Sequence, residues 1–181
     1  YFSLHYWKSS EFYPHQLITY MFLHSSKSLW HIIFNMFALL MFGRVLESVW
    51  GSKRFLIYYM VTGIGAGIIQ LIVIYLQIMP LYDILSPEAL DYGLKHGLEI
   101  IKSGMGPENL VKDENFLKFI FLINSTTVGA SGAVYGVLLA FGMLFPNTEL
   151  MLIFPPIPIK AKYLILILIG MALFFGFGNF S

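Results

Sequence analysis

The sequence predicts an all-α polytopic membrane protein, and three observations carry that prediction. Hydrophobic residues make up 57% of the 181 residues and charged ones only 12%, with a mean hydropathy of +0.74, too few solubilising groups for a water-soluble domain. The apolar runs are continuous and rich in Leu, Ile, Phe and Gly, instead of alternating apolar and polar as barrel strands do. Four of these runs, 29–48, 55–79, 126–145 and 163–178, read as spans of a single membrane domain. A net charge of +1 gives no footprint for nucleic acid. Without cysteine there is neither a disulfide framework nor a Cys nucleophile.

Residues 1–28 mix aromatics with Lys8, Glu11 and Pro14, a composition suited to the membrane–water interface, and are expected to lie on the bilayer as an interfacial loop. Tyr1 stands in place of a start methionine and 176–181 leave a span without a tail, so a piece of a longer chain is expected. The first span, 29–48, takes Ser28 as its N-cap and Gly51 as its stop. It carries His31 and Asn35 at i and i+4, on one face near its start. Arg44 and Glu47, at i and i+3, are placed to pair at headgroup level at its far end. Span 55–79 contains Gly63 and Gly67, a small-xxx-small pair suited to close helix crossing.

Residues 80–118 hold seven acidic residues, four lysines and three prolines, and are expected to form an extramembrane loop. Within it Leu90, Leu94, Leu98 and Ile101 recur at helical spacing and predict an amphipathic helix resting on the membrane or bundle, with His96 on the opposite face. Span 126–145 carries Ser131 between Gly129 and Gly132; residues 124–127 form its cap and Pro146 ends it. Residues 147–162, with Pro155, Pro156 and Pro158, run along the interface before the span 163–178.

The turns at 44–54 and 146–162 hold five Lys or Arg in 28 residues, against six in the 67 of segments 1–28 and 80–118, which assigns the first set to the cytoplasmic side. The starts of the His31 and Ser131 spans then both face the exterior, at similar depth. Intramembrane polar groups are costly unless they face a bundle interior or a hydrated cavity, so Ser131, His31 and Asn35 at one level define a candidate site. A serine nucleophile needs a base for its proton and donors for the oxyanion, and Asn and neutral His both donate. Each residue also has a purely structural reading. A serine among glycines suits a packing seam, and His and Asn join helices by hydrogen bonds. No ligand set for a metal is visible, and no cofactor is expected.

Gly129-Ala-Ser131-Gly132 followed by Tyr135, His31-x-x-x-Asn35, and Gly43-x-x-x-Glu47-x-x-x-Gly51-x-x-x-Phe55 together resemble the rhomboid intramembrane serine proteases, over residues from about 12 to 178. The resemblance implies a rhomboid-like helical bundle, with about four spans of a six-helix core present in this chain. It implies a serine endopeptidase that cleaves transmembrane substrate proteins in the lipid bilayer. Ser131 would be the nucleophile, and its backbone N–H with the side chains of His31 and Asn35 would form the oxyanion hole. Gly129 and Gly132 would support the site, Tyr135 would pack against the catalytic imidazole, and Arg44 and Glu47 would brace the cytoplasmic end. The resemblance also implies a general-base histidine on the last core helix, and residues 132–181 contain none. Two readings stay open: a base beyond residue 181, with this piece inactive alone, or a rhomboid-like protein that binds transmembrane clients without cutting them. A channel or transporter half lacks both a repeat of the spans and a charge ladder.

Overall fold

The long apolar runs form helices in the computed structural model, which describes residues 1–23, 29–151 and 157–178, with the backbone alone at 29–31 and 172–178. Strand β1 (Leu4–His5) leads to a single helical turn α1 (Gln16–Thr19) and a 3-10 turn at Tyr20–Phe22. Helix α2 (Leu29–Ala38) continues through a π-helical stretch, Leu39–Gly43, into α3 (Arg44–Trp50). Gly51 stops it with a φ of +78°, a conformation glycine adopts without the clash of a Cβ. Helix α4 (Ser52–Ile84) follows at once. Then come α5 (Pro87–Ser103), α6 (Glu108–Val111), α7 (Glu114–Asn124), β2 (Thr126–Thr127), α8 (Ser131–Leu144), β3 (Glu149–Met151), β4 (Pro158–Lys160) and α9 (Ala161–Gly178). Ile32–Trp50 and Ser52–Ile84 are long and apolar enough to cross a membrane, whereas α8 and the Ala161–Met171 part of α9 are apolar but shorter. The expected cap Ser28 and the prolines 155 and 156 lie outside the described residues.

The chain divides into two compact units, one made of 1–25 and 64–130, the other of 26–63 and 131–181. In the first, β1 pairs antiparallel with β2, Leu4 opposite Thr127 and His5 opposite Thr126. The aromatic N-terminal segment is partly core here, with Tyr6 and Tyr20 buried. Gly67 of α4 makes room for it: a Cβ there would stand 3.0 Å from the Tyr20 ring and 3.3 Å from Leu4. Gly67 therefore admits this folded segment and not a crossing span, which corrects the helix-crossing reading at Gly67. His5 is buried with Nδ1 2.9 Å from the Ser3 carbonyl and Nε2 3.2 Å from Glu11. Gln16 ties the same segment, accepting from the His5 N–H at 3.2 Å and donating to the Glu11 carbonyl at 2.7 Å.

Much of the expected loop 80–118 is helical. The Ser86 hydroxyl accepts from the Ala89 N–H at 3.2 Å to cap α5, and Gly104, left-handed at φ +69°, ends it. The face α5 buries is Ala89, Gly93, Gly97 and Ile100, while Leu94 and Ile101 of the leucine row are each 38% exposed. Gly93 and Gly97 form a notch for Ile120 of α7, 3.1 and 3.0 Å from where their Cβ atoms would be, with Phe116 and Phe119 closing on Gly93. Small residues win the buried face because they let the bulky α7 side chains approach the backbone. His96 is exposed, as its face predicted, beside Glu99.

In the second unit α8 packs against α2, the π-helical stretch, α3 and α9. Strands β3 and β4 form an antiparallel hairpin with Leu150 opposite Ile159. Gly142 of α8 takes Ile165 of α9, 2.8 Å from its would-be Cβ.

Candidate functional site

Ser131 is the first residue of α8 and is half-buried. The sequence predicted a span starting at 126 with Ser131 already one turn and more inside it. The helix starts later because Thr126 and Thr127 are extended in β2 and Gly129 holds a φ of +126°, which no right-handed helix contains. Only glycine tolerates that angle without strain. The Gly129 N–H donates to the Tyr20 carbonyl at 2.9 Å, fixing the backbone just before the serine. Gly132, half-buried, follows Ser131 in the first turn, and Tyr135 comes one turn later, 37% exposed.

The packing of α8 sets the height of Ser131. After the Gly51 turn α4 runs back along α3, so that Gly43 faces the Phe55 ring, 3.1 Å from its would-be Cβ. Gly136 sits against α4: a Cβ on it would be 2.7 Å from Thr62 Cβ, and the Tyr58 hydroxyl donates to its carbonyl at 2.9 Å. Five residues on, Phe141 meets the Phe42 ring edge-on, centroids 4.8 Å apart. Thr62 lies about 16 Å and Phe42 about 13 Å from the turn at roughly 1.5 Å per residue, so α8 advances toward the turn alongside α2 and α3. Counted back along α8, Ser131 falls about 24 Å from the turn by the Thr62 contact and about 28 Å by the Phe42 contact, and Asn35 about 24 Å from it, so the two lie within about one helical turn of each other in height. Asn35 is 8% exposed, and its Nδ2 has no hydrogen-bond partner among the described residues. The backbone of His31 lies in α2 one turn before Asn35, and its side chain lies outside the described residues.

The Rhomboid domain model matches residues 11–79 and 110–181 of the chain. The chain belongs to the rhomboid family. Members of the rhomboid family are integral membrane proteins, either intramembrane proteases or inactive homologues. Comparisons with curated proteins and with solved structures gave no match. Residues 80–109, with the whole of α5, fall between the two parts of the rhomboid match.

Arg44 and Glu47 of this rhomboid chain stand at i and i+3, as the sequence has them, but form no ion pair within 4.0 Å. Both instead line an open groove on the same helix. Tyr58 and Thr62 are the residues that sequence reasoning missed. They hold the serine helix at Gly136, and the only trace of that in the sequence is a glycine five residues after Ser131 that needs a close neighbour.

Proposed function

We propose that this chain is the serine-bearing part of a rhomboid intramembrane endopeptidase that cleaves transmembrane substrate proteins. Ser131 Oγ attacks the scissile carbonyl, its proton passes to a histidine base that residues 132–181 do not contain, and that base returns the proton to the leaving amine. The Ser131 N–H, at the N-terminus of α8, and the side chains of Asn35 and His31 hold the oxyanion. Gly129 and Gly132 leave the substrate backbone room beside the serine, and Tyr135 packs on the base. The observation that supports the reading is Ser131 at the start of α8, within about one helical turn in height of the buried Asn35 amide, whose Nδ2 has no hydrogen-bond partner among the described residues. A fluorophosphonate serine probe should label the full-length parent at Ser131 and fail on Ser131→Ala. Labelling that survives that substitution sinks the assignment.

The second reading is the other kind of rhomboid family member, an inactive homologue, here one that holds transmembrane clients. Under that reading the full-length parent takes no label and crosslinks to transmembrane helices equally well with Ser131 or alanine.

A further inference from the structure

The groove beside the π-helical stretch has a volume of about 500 Å³ and is lined by Met36, Phe37, Leu39, Leu40, Gly43, Arg44, Glu47 and Phe55. Its chemistry is ordered along the helix. The end toward Met36 is entirely apolar, and the end toward the Gly51 turn carries one guanidinium and one carboxylate. From Met36 to Glu47 the helix rises about 16 Å, which is one leaflet of a roughly 30 Å hydrocarbon core. Its charged end is therefore at headgroup height when its apolar end is at the bilayer centre. Of the lining side chains Leu40 is 52% and Met36 39% exposed, on a helix long and apolar enough to span. Gly43 forms the floor, where the Phe55 ring already fills the space a side chain would take.

The charged end is what selects an occupant. Arg44 and Glu47 are one turn apart on one face and share the groove, yet neither is within 4.0 Å of an opposite charge among the described residues. A guanidinium binds a phosphate through paired N–H donors, and a carboxylate accepts from a primary ammonium. We propose that this groove holds one phospholipid whose headgroup carries both a phosphate and a primary ammonium, with the phosphate on Arg44, the ammonium on Glu47 and one acyl chain along Leu40 to Met36. A quaternary ammonium has no N–H to give Glu47, and a headgroup with phosphate alone leaves the Glu47 carboxylate facing negative charge. The occupant is thus phosphatidylethanolamine in preference to phosphatidylcholine or phosphatidylglycerol.

The test is native mass spectrometry of the full-length parent released from nanodiscs with equal parts of the three lipids. The wild type should retain phosphatidylethanolamine about fivefold over the other two, the ratio that one charge contact near the surface supplies. Glu47→Gln should erase the preference over phosphatidylglycerol while lipid is still retained. Arg44→Gln should weaken retention of all three, and Leu40→Trp, which fills the groove from its exposed side, should abolish it. Equal retention of the three lipids by the wild type overturns the proposal, as does an unchanged preference in Glu47→Gln. A melting temperature measured for each variant separates loss of the lipid from loss of the fold, and loss confined to misfolded variants also counts against the site.

Discussion

Two side chains keep a polar atom in the interior without a hydrogen-bond partner among the described residues, the Tyr6 hydroxyl and the Asn35 amide nitrogen. An unpaired buried donor is destabilising by about 1–3 kcal/mol, so removing it without changing shape should not harm the fold. Asn35→Leu in the full-length parent is accordingly expected to hold or raise the melting temperature while lowering turnover about 10²- to 10³-fold, the usual loss for one oxyanion donor. A melting temperature that falls together with activity would mean that Asn35 serves packing instead. Tyr6 behaves differently, because burial and the neighbouring Tyr82 and Tyr75 push its phenol up to about 12. Below pH 10 it is protonated folded or unfolded, and from 10 to about 12 the folded form alone keeps the proton, so stability falls as pH rises through that window. Unfolding curves at pH 9 to 12 should show a drop in the wild type that Tyr6→Phe reduces. Glycine flanks and an i, i+4 face are what single out Ser131, His31 and Asn35 as candidates in the sequence. The sequence does not disclose that Asn35 lacks a partner, since satisfaction of a donor depends on which distant atoms pack around it.

At the level of elements, α8 is held where it is by what its glycines exclude. Gly136→Ala would put a methyl 2.7 to 2.9 Å from the Cβ, Cγ2 and Oγ1 of Thr62, and is expected to destabilise by about 1–3 kcal/mol. Adding Thr62→Gly should recover part of that in a double-mutant cycle, whereas additive effects would show that the two helices do not meet there. Helices α2 and α4 were readable because nothing interrupts their apolar runs, and α5 was readable from its leucine spacing, though its ends at Ser86 and Gly104 were not. Nor was its buried face. Hydrophobicity alone favoured Leu90, Leu94, Leu98 and Ile101, but the choice fell to Gly93 and Gly97, whose value appears only once Ile120 and the α7 phenylalanines are there to fill the notch. The start of α8 was misread for a related reason, as the run 126–145 carries no charge to mark where strand gives way to helix.

For the whole molecule, the basic turns predict which ends of the helices face the cytoplasm, and the absence of cysteine makes that simple to check. In sealed right-side-out vesicles, Ser103→Cys should react with a membrane-impermeant maleimide at once and Ser52→Cys only after permeabilisation. Reaction of both from one side would reverse or break that topology. The division into two units also has a consequence in time. Strands β1 and β2 join residues about 120 apart, so their pairing closes a loop whose entropy must be met before the contact rewards it. Synthesis reaches Leu4 and His5 well before their partners Thr126 and Thr127, which lie just ahead of Ser131, so the earlier strand waits for the later one. The backbone leading into the serine is therefore completed late in folding, after the neighbouring helices have been made.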